Sequence, residues 1–427
     1  MLSLASLIFL VILCVLMGGT LLKLWLSHDK SAIWSPLTFI CLTLLYYVVL
    51  PSTLDLSILG ANHNENQFLF YIAACLFYVC VLIGFSAKTK SYFKRWNSYF
   101  NVGNAKIYGI CIFIFGLICY IPFRGFRTTI WAEDAGMLAD RTGFVSYFID
   151  LISIFCGACG LLYMDFKYKH NKISKGLVFF VVLYLTLVVY IVGGFRIRIL
   201  FLVLALATIY HLFPSPQKLN YKYLIPVAIV VYLGFAILES VRTYGTGINK
   251  SALNEYDLTS AENGARENCA VCCFSIIAID HYQRFGDYVY FEPIVNAICM
   301  PLPRVLFPWK PDGDYIRTMQ VKTIGSSDGG AACLSFVEAF ISFGWFGVVL
   351  YGLFMGWLAK MFWVNYKRNP QSMGAILLLA LFNGFCYQWI SRGYLASNFN
   401  SYIYYVIMPF WLTALFRKVL PKSLTHE

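Results

Sequence analysis

Charged residues are scarce in this chain: Asp, Glu, Lys and Arg make up 13% of its 427 residues, whereas hydrophobic residues make up 59%. Ordinary soluble domains contain about 25% charged residues, so the composition excludes that class. Apolar stretches long enough to cross a hydrocarbon core about 30 Å thick recur from Leu2 to Leu415. The sequence therefore predicts an all-α polytopic membrane protein.

Patterns typical of metal sites are also missing. Most of the 14 cysteines lie inside apolar runs, where a free thiol behaves as a small hydrophobic group. Cys269, Cys272 and Cys273 lie close together, but no second pair stands at zinc-site spacing, and His281 is the one histidine nearby. We expect these three cysteines to pack in the protein or to form an incidental disulfide, not to bind a metal.

Hydropathy windows predict about eleven membrane spans. They lie near residues 3–26, 33–51, 67–87, 105–122, 143–164, 175–194, 197–213, 222–240, 333–359, 373–390 and 398–416. Lysine-rich loops alternate along the chain and are placed in the cytoplasm by the positive-inside rule. The amino terminus is then outside and the carboxyl terminus inside. The short hairpin at Gly193–Arg198 is decisive, because one continuous helix there would move every later loop to the other side.

This topology divides the chain into three regions. Residues 1–240 form eight membrane spans with short loops, residues 241–332 form one long outer loop, and residues 333–427 form three spans and a short tail. The first apolar run has no basic residue before it and no clear cleavage pattern after it, so we expect an uncleaved helix.

Arginine and lysine separate across the membrane in this topology. The inner side has sixteen lysines and three arginines. A guanidinium group binds phosphate oxygens through two parallel hydrogen bonds and stays charged, so the outer face is predicted to bind an anionic phosphate. Structural ion pairs with outer acids are the alternative for some of these side chains. The outer side has three lysines, Lys250, Lys310 and Lys322, and eleven arginines, Arg124, Arg127, Arg141, Arg196, Arg198, Arg242, Arg266, Arg284, Arg304, Arg317 and Arg392.

The long outer segment is expected to contain elements of its own. Glu267–Phe285 is predicted to be a helix, on which Asp280 and Arg284 are spaced for an i,i+4 ion pair. Phe291–Phe307 is apolar but interrupted by prolines, which favours a shallow or re-entrant segment at the membrane interface over a full span.

The run Pro303–Pro311 is a candidate site for a lipid-linked phosphate. It places Arg304 and Lys310 beside Trp309, an arrangement suited to the depth of the lipid headgroups. An aromatic and basic anchor without any ligand is the alternative. A second candidate follows Gly193, where Arg196 and Arg198 precede a helix whose positive dipole end adds backbone donors.

A charged side chain at Glu338 is energetically costly in its sequence context. It lies in the apolar helix start Ser335–Trp345, where a carboxylate must be paired or used. Two interpretations are open: a nearby arginine neutralises Glu338, or the carboxylate is a general base.

Several segments together resemble the Wzy-type polymerases, which join lipid-linked oligosaccharide repeat units of bacterial O-antigen and related surface polysaccharides. The resemblance covers about residues 190–400, and the first half of the chain matches only in being helical and membrane-spanning. The matching segments are Gly193–Arg196, Arg242–Gly245, Pro303–Pro311, the helix with Glu338 followed by Phe343 and Gly344, and Ser391–Gly393.

The resemblance implies a GT-C-like glycosyltransferase at the outer leaflet of the bacterial inner membrane, with a periplasmic amino terminus and a cytoplasmic carboxyl terminus. Undecaprenyl-diphosphate-linked oligosaccharide would be both the donor and the acceptor. Membrane lipid and a chain-length regulator protein would be further partners, and the protein would not bind nucleic acid. No Asp-Asp or Asp-x-Asp pair stands in segment 52–66, so we expect no metal and no cofactor. Glu338 would be catalytic, as base or in acceptor positioning, and the diphosphate ligands would be Arg196, Arg198, Arg242, Arg304, Lys310 and Arg392.

Two other functions fit parts of the sequence. An O-antigen ligase would share the membrane architecture and the outer diphosphate, and only the pattern around Pro303–Pro311 favours a polymerase. A transporter or flippase of lipid-linked glycans would also need phosphate-binding arginines. Transporters are commonly built from internal repeats, and no convincing repeat is present in this sequence.

Overall fold

A computed structural model describes more than half of the chain. The described residues are 3–53, 67–90, 92–93, 179–184, 196–213, 215–216, 242–243, 247–254, 263–300, 307–309, 315–325 and 332–403, with isolated positions at 114, 131, 187, 222, 234, 302, 407 and 415. Within them the structure is helical, apart from two antiparallel strands of two residues each.

The helices are α1 (Leu4–Trp25), α2 (Pro36–Leu44), α3 (Leu50–Thr53), α4 (Gln67–Ser86), α5 (Arg196–Leu212), α6 (Lys250–Asn254), α7 (Asn263–Phe285), α8 (Glu292–Cys299), α9 (Tyr315–Ile324), α10 (Ser335–Arg368), α11 (Met373–Ser391) and α12 (Leu395–Tyr402). A 3₁₀ turn at Ala32–Trp34 precedes α2, and a π-helical turn at Leu45–Val49 joins α2 to α3. The strands are β1 (Arg242–Thr243) and β2 (Gly247–Ile248).

The helical membrane character predicted from hydropathy is confirmed. Four of the described helices, α1, α4, α10 and α11, are long and apolar enough to cross a membrane, and each coincides with a predicted span. Shorter apolar helices match the predicted spans at 33–51 and 197–213. The predicted spans 105–122, 143–164 and 222–240 lie outside the described residues apart from the isolated positions 114, 222 and 234, and so do most of 175–194 and 398–416. The total of about eleven spans therefore stays a prediction.

Two compact units can be distinguished by their internal contacts. The first comprises Met1–Lys90, Ala265–Val364 and Cys386–Asn400, and the second comprises Ser91–Gly264, Asn365–Phe385 and Ser401–Glu427. The three regions predicted from sequence are divisions by membrane topology, which contacts do not address, and they stay a prediction.

Glycines bring α4 and α10 into close contact in the first unit. On α10, Gly352 and Gly356 are four residues apart, and a Cβ atom at Gly352 would lie 2.7 Å from the carbonyl oxygen of Phe77 on α4. On α4, Gly84 faces the backbone of Leu353 in the same manner. Small residues spaced by four let two membrane helices approach backbone to backbone, which replaces the hydrophobic driving force that lipid does not supply.

Helix α10 is not one straight rod. Its 34 residues would extend about 51 Å as an unbroken helix, much more than the hydrocarbon thickness. The helix breaks at Phe343 and Gly344, where Gly344 has φ 60° and ψ −147°. Backbone N–H groups of Val289 and Tyr290 donate to the carbonyl oxygens of Ile341 and Ser342, each at 3.1 Å. The segment between α7 and α8 thus stabilises the break, and Glu338 lies in the short part before it.

The break leads to a test by substitution of Gly344. A Cβ atom there would lie 3.4 Å from the Tyr288 hydroxyl, an ordinary contact, so the cost of Gly344→Ala comes from the backbone conformation. That conformation is essentially restricted to glycine, and we expect the variant to lose on the order of 1–3 kcal/mol of stability. Thermal unfolding of the purified protein in detergent measures the loss. Gly19→Ala is the control, because Gly19 has open space around it, and equal melting of the two variants would contradict the prediction.

Candidate functional site

The structure confirms two predictions for the long segment 241–332. Glu267–Phe285 is helical within α7, and the Arg284 side chain donates to the Asp280 carboxylate on the adjacent turn at 3.0 Å.

Cys269, Cys272 and Cys273 are buried free thiols on the same helix. Among the described residues, no cluster of three His, Cys, Asp or Glu side chains could hold a metal ion.

Helix α8 exposes its large apolar side chains. Ile294, Val295 and Ile298 are exposed, the last at 63%, while the polar Asn296 is buried. The helix ends at Cys299, before Pro301, so the described part of Phe291–Phe307 contains a helix too short to cross a bilayer. An exposed apolar face on a short helix is typical of a segment that lies in the membrane interface.

Glu338 is buried, at 5% exposure, in the first turn of α10. Its two carboxylate oxygens accept from the backbone N–H of Leu395 at 2.9 and 3.0 Å, and Oε1 also accepts from the Tyr315 hydroxyl. Leu395 is the first residue of α12, so the carboxylate satisfies a backbone donor at that helix start and places its negative charge at the positive dipole end. No arginine pairs with Glu338 among the described residues.

The turn between α11 and α12 packs against the start of α10. Gly393 N–H donates to the carbonyl oxygen of Cys333 at 2.6 Å. The Ser335 hydroxyl donates to the carbonyl oxygens of Trp389 and Ile390, the second at 3.0 Å. The two Ser335 bonds satisfy carbonyl groups at the end of α11 that have no partner within their own helix. The turn that presents Arg392 is therefore held through its backbone.

Tyr315 completes the group of contacts. Its ring lies edge-on to that of Tyr394, with centroids 5.6 Å apart. Burial, and the negative charge of Glu338 beside it, raise the pKa of the Tyr315 hydroxyl above its ordinary value. The hydroxyl therefore stays protonated and donates to the carboxylate. We call Tyr315, Cys333, Glu338 and the turn Arg392–Leu395 the Glu338 junction.

Arg392 has its backbone fixed in this junction. Its N–H donates to the carbonyl oxygen of Gln388 at 3.1 Å, and its own carbonyl oxygen accepts from the Asn398 side chain. The guanidinium lies within electrostatic reach of the Tyr387 hydroxyl. The structure thus brings together two of the predicted site residues, Glu338 and Arg392, through the Leu395 N–H that follows in the same turn.

The other predicted ligands are described only in part. Arg196 and Arg198 lie in the first turn of α5, as expected for a helix beginning after the Gly193 turn, and Arg242 lies in β1. The structure describes the backbone of these three residues, and their side chains are outside its description. Arg304 and Lys310 lie outside the described residues. The catalytic role of Glu338 and the diphosphate roles of the cations stay predictions.

Sequence reasoning missed Tyr315 and Leu395 as partners of Glu338. Tyr315 lies 23 residues away along the chain and Leu395 lies 57 residues away. Sequence marks the two residues only by their nearness to segments with candidate cations, since Tyr315 follows Lys310 by five residues and Leu395 follows Arg392 by three.

Comparisons with protein-family models, with curated proteins and with solved structures find no match for this chain. The resemblance to Wzy-type polymerases accordingly rests on the short sequence motifs.

Proposed function

We propose that this protein is a membrane glycosyltransferase that polymerises undecaprenyl-diphosphate-linked oligosaccharide repeat units at the outer leaflet of a bacterial inner membrane. The observation that carries the proposal is the Glu338 junction. It joins the Glu338 helix and the Arg392 turn, two motifs separated by 54 positions in the sequence, through direct hydrogen bonds to Leu395.

The relative directions of the helices support the outer placement of this junction. Phe336, near the start of α10, packs on Phe70 near the start of α4, and Lys360 lies over the ring of Phe85 near the end of α4. Helices α4 and α10 are therefore parallel. Two spans that cross the membrane in the same direction must have an odd number of other spans between them. The predicted topology has five spans between α4 and α10, which agrees with their parallel directions. A continuous helix in place of the Gly193–Arg198 hairpin would leave four spans between them, which would make α4 and α10 antiparallel.

The chemistry of the reaction matches the proposed site. Cleavage of the bond between the donor sugar and the lipid diphosphate leaves negative charge on the diphosphate, and no cytoplasmic nucleotide is available outside the membrane. Preorganised guanidinium groups stabilise such charge in a site that excludes water. We assign this role to Arg392 together with Arg196, Arg198, Arg242, Arg304 and Lys310, and we propose that the reaction needs neither a metal nor a cofactor.

The experiment is substitution of single residues, read as ladders of surface glycan at matched protein level. We expect Arg392→Ala and Arg304→Ala to reduce polymer at least about 100-fold, the usual effect of removing one charge-stabilising group. Arg392→Lys should restore activity only partly, since lysine lacks the planar fork. Arg284→Ala is the matched control, because this outer arginine is 52% exposed and already paired with Asp280.

Intact ladders in both Arg304→Ala and Arg392→Ala would overturn the diphosphate assignment. Deletion of the gene separates a polymerase from a ligase. Loss of a polymerase leaves single repeat units attached to the lipid A core, whereas loss of a ligase leaves none attached.

A further inference from the structure

The carboxylate oxygens of Glu338 face hydrogen-bond donors from two other helices. A base must come within hydrogen-bond reach of the proton that it removes from the substrate. Both oxygens of Glu338 already accept from the N–H of Leu395, Oε1 accepts in addition from Tyr315, and the side chain is 5% exposed. The carboxylate is thus engaged by donors of the protein itself.

The two donors that Glu338 binds indicate its role. Leu395 follows Arg392 by three residues, and Tyr315 follows Lys310 by five. One buried carboxylate therefore binds the helix start that comes after each of two segments with proposed diphosphate ligands. Hydrogen bonds to a charged acceptor are stronger than those between neutral groups, and they fix the positions of both donors.

We infer that Glu338 is a positioning residue, which holds the Arg392 turn and the start of α9 in the arrangement that binds the lipid-linked diphosphate. The inference rests on the proposed function and specifies how this site is assembled. Truncation of Glu338 leaves the Leu395 N–H and the buried Tyr315 hydroxyl without their acceptor, so both must move to find new partners. A displacement of about 1 Å in a substrate-positioning group can cost about 100-fold in rate.

The turn that carries Arg392 also packs closely on the backbone before α10. A Cβ atom at Gly393 would lie 2.7 Å from the carbonyl oxygen of Leu334 and 2.8 Å from Cys333 Sγ, so the turn lies directly on the backbone that leads into α10. Leu334 N–H in turn donates to the Ser275 hydroxyl on α7 at 3.0 Å. Hydrogen bonds at the Glu338 junction and its neighbours Leu334 and Ser335 thus join the start of α10 to α7, α9, α11 and α12.

The test compares Glu338→Gln with Glu338→Ala in the full-length protein, purified in detergent. Glutamine keeps one oxygen that can accept from both Leu395 and Tyr315, so it separates positioning from proton removal. We expect Glu338→Gln to keep kcat/KM within about fivefold of wild type with an unchanged pH profile. Glu338→Ala should weaken binding of undecaprenyl diphosphate carrying no sugar by about 10- to 100-fold. Tyr315→Phe, which removes a single hydroxyl, should weaken it in the same direction.

Each alternative has its own outcome. A general base predicts that Glu338→Gln is as inactive as Glu338→Ala while both bind undecaprenyl diphosphate normally, and this result would overturn the inference. If Arg392→Ala weakens diphosphate binding but Glu338→Ala does not, the positioning role alone fails. If Arg392→Ala itself leaves binding unchanged, the proposed diphosphate site fails. Melting temperatures are measured for all variants, and the Tyr315→Phe result decides if Glu338→Ala does not fold.

Discussion

Replacing Gly393 with alanine is expected to remove most of the activity while the protein still inserts in the membrane. The added Cβ atom would lie 2.7 Å from the carbonyl oxygen of Leu334, closer than real Cβ atoms approach such a group. Since Leu334 belongs to the backbone entering α10, the turn itself must shift. The shift lengthens the bond from Gly393 N–H to Cys333, now 2.6 Å, and moves Arg392 with it. Overpacking of this kind costs about 1–3 kcal/mol.

Activity and stability should respond differently to this substitution. We expect polymer formation to fall about 100-fold, as for other displaced positioning groups, and the melting temperature to fall only by several degrees. Glycan ladders and thermal unfolding in detergent measure the two effects. Gly18→Ala is the control, because a Cβ atom at Gly18 meets no atom within 4 Å. Full activity of Gly393→Ala would show that the turn does not need its present position.

Replacing Gly356 with leucine is expected to disrupt the first unit as a whole. Gly356 lies against the backbone of Val81 and Phe85 on α4, where even a single added carbon has no space. The leucine side chain would force α4 and α10 apart and remove the close packing that joins them. Loss of this contact is expected to cost about 3 kcal/mol or more, at the upper end for overpacked sites.

Protein yield and melting temperature test this second expectation. Gly356→Leu should accumulate poorly in the membrane fraction and unfold at a clearly lower temperature than the wild type. Gly18→Leu makes the same change on α1, at a position with open space, and should behave as wild type. Equal yields and equal melting of the two leucine variants would show that α4 and α10 do not depend on their close approach.

Several features were accessible from sequence because they are local. The positions of α1, α4, α10 and α11 follow from hydropathy, since each span must supply about 20 apolar residues of its own. The Asp280–Arg284 ion pair follows from helix periodicity, which places residues four apart on one face. Glu338 was identifiable as a residue in need of a partner, because its apolar surroundings make an isolated carboxylate costly.

The partners of Glu338 were not accessible in the same way. Sequence left a choice between an arginine partner and a general base, and the partners that the structure shows for Glu338 are a tyrosine hydroxyl and a backbone N–H. Neither has a charge or a motif that marks it in sequence. Similarly, the span near 333–359 was predicted as one helix, whereas α10 is broken at Gly344 by pairing with the segment at Val289 and Tyr290.

By itself the sequence determined that this is a helical membrane protein and where α1, α4, α10 and α11 lie, and it predicted that arginine and lysine lie on opposite sides of the membrane. These properties depend on the composition of short windows, and they hold whatever the neighbours of each helix are. Only the tertiary structure decided that Glu338 binds the turn carrying Arg392. That contact depends on how α9, α10 and α12 pack together, and packing is a property of residues that the chain keeps far apart.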